Sequence, residues 1–165
     1  MKRRLWMLLL CTAVSLAAAE AQVVLPDREA ADGLRRDVFG LGVHLGPASG
    51  IGLSFRHHLP STLSYQLNGG IIKVDDRLLY AVGAELQADL SRSGATRFFV
   101  AGAIGYYHAG SADRNEMAGP GRLGVGLGGE MFAGGGFHTT IEVLFTYFTD
   151  GTVLPLPQLG LHYYF

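Results

Sequence analysis

The sequence predicts an all-β fold, an eight-stranded antiparallel up-and-down transmembrane β-barrel, and three observations carry that prediction. From Asp37 onward, large apolar residues alternate with small or polar ones at a period of two, and turn residues interrupt the pattern at regular intervals. The chain is 48% hydrophobic, yet beyond its N-terminal stretch no apolar run reaches the roughly 18 residues that a membrane helix needs. Every backbone N–H and C=O in lipid must be paired within the protein, so among membrane folds a closed barrel is what remains.

Lys2, Arg3 and Arg4 precede an apolar run from Leu5 to Val14 that only Thr12 interrupts, and small residues follow at Ala17, Ala18, Ala19 and Ala21. That order predicts a secretory signal peptide over residues 1–21, cleaved after Ala21 or after Ala19. Cys11 is the only cysteine and lies inside that run, so the processed chain is expected to have no disulfide and no cysteine metal site. A lipoprotein signal would acylate Cys11, but Leu9 and Leu10 stand where such signals carry small residues. Residues 22–36 are polar, contain Pro26 and Gly33, and are expected to form a flexible periplasmic lead. Cleavage would remove three of 13 basic and one of 14 acidic residues, leaving a net charge near −3 and no basic patch for nucleic acid.

Residues 37–165 form the predicted barrel, with strands over 37–46, 50–57, 63–74, 78–90, 97–108, 121–132, 137–148 and 156–165. One face carries Leu41, Val43, Leu53, Leu67, Val82, Leu86, Ile104, Leu127, Val143 and Leu161. The other carries Gly40, Gly42, His44, Ser54, Gln66, Asn68, Ala101, Ala103, Gly124, Gly126, Thr140, Thr146, Gln158 and His162. This second face lacks the density of Lys, Asp and Glu that solvates a soluble surface, so the bulky face is assigned to lipid and the small face to a narrow lumen. Short connections at 58–62, 91–96 and 133–136 fall on one side, as periplasmic turns should. The longest connection, 109–120, falls on the other side with 47–49, 75–77 and 149–155. Phe39, Phe55, Tyr65, Phe98, Tyr163 and Phe165 then gather at one set of strand ends and Tyr80, Tyr106 and Tyr147 at the other, as two interfacial girdles.

The last strand alternates Leu159, Leu161 and Tyr163 and reaches Phe165. This resembles the C-terminal signal of outer-membrane barrels, which the barrel assembly machinery recognises. Together with size and strand number, the chain resembles OmpA/OmpX-type small barrels over residues 37–165, although no motif fixes one family within that group. The resemblance implies the outer membrane of a Gram-negative bacterium, a monomer, and outer-membrane lipids and the assembly machinery as partners.

Arg56, Glu85, Asp89, Glu130 and Glu142, with Gln66 and Gln87, share the inner face and are expected to form a polar network across the lumen. An eight-stranded bore is only wide enough for side chains, so such a network closes it. Three or four acids facing one arginine predict that one carboxyl is protonated, hydrated or near the rim. The reading is therefore a non-enzymatic barrel, structural or presenting short outer loops, without cofactor or metal. The alternatives are a lipid-modifying barrel enzyme and a narrow channel for small or apolar solutes. For the enzyme, His44 and His162 face inward on neighbouring strands, His108, Ser111 and Asp113 share the long loop, and His138 lies at a short turn. His57 and His58 are adjacent on a strand and so point to opposite faces, which disfavours a metal site. The run from Gly124 to Gly129 is followed by no helix pattern, so a phosphate loop is excluded.

Overall fold

In the computed structural model, which describes residues 36–165, nine strands form one antiparallel sheet. They are β1 (Val38–Gly46), β2 (Gly50–His58), β3 (Leu63–Val74), β4 (Arg77–Arg92), β5 (Thr96–Ser111), β6 (Arg114–Asn115), β7 (Gly121–Gly134), β8 (Phe137–Phe148) and β9 (Val153–Tyr164). The order β4-β3-β2-β1-β9-β8-β7-β5 closes on itself through the pairing of β4 with β5, so eight strands make the wall. The short β6 only extends β5 beyond it, through Gly110–Asn115 and Ser111–Arg114. The signal-peptide reading of residues 1–21 and all of the proposed lead except Arg36 lie outside the described residues.

Wall geometry follows from the register. From Val43, one path of paired residues runs Leu53, Gly69, Val82, Tyr106, and the opposite path runs Leu161, Thr139, Met131, Thr96. Both paths end on β5, ten residues apart, and that offset is the shear that tilts the strands.

Side chains divide as the period of two requires. Leu41, Leu53, Leu67, Val82, Leu86, Ile104, Leu123, Leu127, Val143, Phe145 and Leu161 stand exposed around the exterior, Leu53 at 76%. His44, Arg56, Gln66, Gln87, Glu130, Thr140, Thr146 and His162 are buried inside. An exterior this apolar is solvated by hydrocarbon rather than water, which makes the barrel membrane-spanning. Aromatics pack at both rims of the exterior: Phe39 with Phe55 (5.8 Å), Phe55 with Tyr65 (6.2 Å) and Phe137 with Tyr163 (5.2 Å) at the end where β1 begins, here the lower end. At the upper end Tyr80 meets Tyr106 at 6.1 Å.

Two elements differ from expectation. The polar loop after β5 is partly ordered as the ribbon to β6, which carries no alternation by which it could be read. The connection 47–49, expected as an exterior loop, instead folds into the barrel, leaving Ala48 and Ser49 fully buried.

Candidate functional site

The lumen is filled in two tiers. In the lower tier Glu130 on β7 is the hub. Its Oε2 accepts from Arg56 Nη1 (3.0 Å), Arg97 Nε (3.1 Å) and Arg97 Nη2 (2.5 Å), while its Oε1 faces His138 Nδ1 (3.1 Å) and His58 Nε2 (3.6 Å). Arg56 also donates to Gln66 Oε1 (2.6 Å) and Thr140 Oγ1 (2.8 Å). Arg97 donates to Gln87 Oε1 (2.6 Å), Ser64 Oγ (3.0 Å) and Asp89 Oδ1 (2.9 Å). Removing this much charge from water is expensive, and only such dense pairing compensates it.

Of the five acids and bases singled out from the sequence, Arg56 and Glu130 are in direct contact, and Glu142 comes within 3.7 Å of Arg56 Nη2. Glu85 joins through amides: Gln87 Nε2 donates to Glu85 Oε1 (2.6 Å) and approaches Glu142 Oε1 (3.4 Å), and Gln158 Nε2 donates to Glu142 Oε2 (3.2 Å). Asp89 lies toward the rim, held by Arg97 and by Arg92 Nε (3.0 Å).

Arg97 is the residue that the sequence reading left out. It shares parity with the inward Ala101 and Ala103, as do Phe99 on the same strand and, on β8, Leu144 with Thr146, and extending the alternation one step would have placed each inside. With Arg97 present, the four acids face two interior arginines and a third near the rim.

The upper tier is made of backbone. The tip Pro47-Ala48-Ser49 between β1 and β2 turns inward through Gly50 (φ 107°) and Gly52 (φ 134°), a conformation that side chains oppose. Gln158 Oε1 accepts from Ala48 N, Ser49 N and Ser49 Oγ, each at 3.1 Å, and Asn68 Nδ2 donates to Ser49 O (2.9 Å). Ala48 packs with Phe99, Ala101, Ala103 and Leu144, the apolar cluster of the lumen. The facing strands make room by lacking side chains: a Cβ on Gly83 would overlap Ser49 O, one on Gly105 would overlap Ala48 O, and one on Gly124 would lie 3.2 Å from the Ala48 Cβ. Tyr107 OH donates to Gly46 O and accepts from Gly50 N (2.8 Å), and Arg122 Nη1 donates to Pro47 O.

The candidate catalytic groups of the sequence are scattered rather than gathered in one place. His108 Nε2 meets the backbone carbonyl of Ser111 (2.9 Å) and its ring stacks on Tyr80, while the Ser111 and Asp113 side chains are exposed. His44 faces Ser49 Oγ (3.0 Å) and His162 faces Ser54 Oγ (2.7 Å), all four buried. Ser64 Oγ, His58 (2.7 Å) and Glu130 stand in the order of a nucleophile, base and acid. However, Ser64 also accepts from Arg97 and is 1% exposed, and Tyr164 stacks on the His58 ring at 4.8 Å. His57 stacks outside on Phe39 (4.1 Å) while its neighbour His58 lies inside. Leu159, Leu161, Tyr163 and Phe165 all point outward from the end of the wall. Among the described residues no cluster of three or more His, Cys, Asp or Glu side chains could hold a metal.

The sequence matches no protein-family profile, and no curated protein matches it. Two solved structures are similar in fold. One is the Yersinia pestis outer membrane protein Ail in a phospholipid bilayer nanodisc, at 12% identity and a TM-score of 0.46, covering 78% of this chain and 97% of that one. The other is the crystal structure of Ail, the attachment invasion locus protein of the same organism, at 12% identity and a TM-score of 0.40, covering 78% and 94%. At that distance neither likeness bears on the role of any residue.

Proposed function

We propose that the chain is a non-enzymatic barrel of the Gram-negative outer membrane, structural in role, with its lumen closed by its own residues. The observation that carries this reading is the two-tier fill: the Arg56, Arg97 and Glu130 network in the lower half and the inward Pro47-Ala48-Ser49 tip in the upper half. A bore of eight strands has room for side chains and little else, so both tiers would have to move for water to pass. The lower rim then faces the periplasm and the upper rim presents short loops outside. Refolded into a planar bilayer, the protein should give no ion steps above baseline. A reproducible unitary conductance would overturn the closed-lumen reading. The enzyme alternative rests on Ser64, His58 and Glu130; it predicts a mass change in envelope lipids that Ser64→Ala abolishes, whereas the structural reading predicts identical lipid profiles with and without the protein.

A further inference from the structure

The barrel wall is incomplete at its upper end. β2 last pairs with β3 at Leu53–Gly69 and β1 last pairs with β9 at Leu45–Leu159, because the hairpin tip beyond them has folded inward. The flanking hairpins continue upward, β3 with β4 to Val74–Arg77 and β8 with β9 to Tyr147–Val153. A gap two strands wide therefore separates the upper parts of β3 and β9. It lies at the depth of the upper tyrosines, since Tyr80 is paired with Ile71 on one flank and Tyr147 with Val153 on the other.

The strand faces that turn toward the axis at this level are apolar and uncovered up to Arg77, which shares the parity of Leu79 and stands exposed at the rim. Ile72 has the parity of the lumen residue Asn68, Leu79 that of Glu85, and Leu154 and Leu156 that of Gln158. Ile72, Leu79 and Leu154 are nonetheless exposed. Lipid contact does not explain them, because the lipid-facing residues of these strands have the opposite parity. Across the ring from the gap, Arg122 on β7 points inward, its guanidinium 3.7 Å over the Tyr107 ring and 4.9 Å from that of Phe148. Unlike Arg56 and Arg97 it has no carboxylate partner among the described residues, and its buried Nε has no hydrogen-bond acceptor. Apolar faces flanking a gap in the wall, with a guanidinium across the ring that among the described residues lacks a carboxylate counterion and is held only by the Pro47 carbonyl and two aromatic rings, have the form of a site for one chain with one anionic head.

We propose that this gap binds a long-chain fatty acid from the outer leaflet, its carboxylate on Arg122 and its chain leaving between Ile72 and Leu156. A planar carboxylate suits the flat edge of a guanidinium better than other anions of similar charge. The inference rests on the membrane reading above. Insertion into liposomes is therefore checked first: failure to insert would sink that reading, whereas an inserted barrel without a ligand sinks only this one. The inserted or micellar barrel is then titrated with radiolabelled palmitate in its ionised form, with hexadecanol as the uncharged control and lysophosphatidylglycerol as the phosphate-bearing one. Palmitate should bind one per barrel, and Arg122→Gln should weaken it about tenfold or more while leaving hexadecanol unchanged. Because Arg122 also holds Pro47, a second variant, Ile72→Asn, leaves the tip contacts intact and should also lower palmitate binding. Palmitate binding no tighter than hexadecanol, unaffected by both variants, or weaker than lysophosphatidylglycerol would overturn the proposal.

Discussion

The two halves of the lumen solve one problem, filling a narrow bore, by opposite chemistry. Below, long polar side chains from three strands, β2, β5 and β8, converge on Glu130 of β7, and each desolvated charge depends on its partners. Above, the filler is the chain itself, three residues of a hairpin tip whose polar groups are met by Gln158 and Asn68 and whose bulk is received by glycines. The two halves are fragile in different ways. A network of buried charge fails when one member leaves, because those remaining are uncompensated. A backbone plug fails when its berth is filled, because the tip has somewhere else to go.

The largest expected effect is at the hub. Glu130→Ala would leave Arg56 and Arg97 buried without their shared carboxylate and should destabilise the barrel by about 3–5 kcal/mol. Urea titration of the protein in lipid vesicles, followed by tyrosine fluorescence and gel mobility, measures it. A loss under about 1 kcal/mol would mean that water already hydrates these arginines and that the lower tier is not dry.

The upper tier should respond less in stability and more in conformation. Gly83→Val places branched carbons where Ser49 O now sits, and the strain of such overpacking is about 1–3 kcal/mol. The tip should relieve it by swinging out. A cysteine placed at position 49 would then react with a membrane-impermeant maleimide in the Gly83→Val background and stay protected in the parent. Equal protection in both would show that the tip is held by more than the space that the glycines leave.

The same contrast explains what the sequence could reveal. The wall was legible because burial in lipid on one side and in a packed lumen on the other imposes a strict period of two. Strands over 63–74 and 137–148 match the structure residue for residue, and the rest agree within three residues. Arg97, Phe99 and Leu144 were within reach of the same rule, and were missed because a charged or large residue looks foreign among glycines and alanines. The inward tip was not legible from its own residues: Pro-Ala-Ser reads as an ordinary exterior turn, and only pairing contacts far apart in sequence bring it beside Gly83, Gly105 and Gly124. Its trace in the sequence is the glycine at the inward position of three separate strands, a signal that needs the register before it can be interpreted. The gap between β3 and β9 escaped for the same reason, since it exists only because that tip has left the wall.

The smallest expected effect marks the boundary of the charged tier. Arg92 pairs with Asp89 at 3.0 Å, but its side chain is 14% exposed, in contrast with the fully buried Arg97, which holds the other oxygen of the same carboxylate. Arg92→Gln leaves Asp89 its interior partner, so the loss should stay below about 1 kcal/mol and shrink further in high salt, as pairs that water can reach do. The Glu130→Ala loss should be indifferent to salt, because screening ions cannot enter the bore. Urea midpoints of both variants in low and high salt separate the two cases. A salt-independent loss at Arg92 comparable with that at Glu130 would place the dry network up to the rim and make the pairing of Asp89 with Arg92 part of the seal.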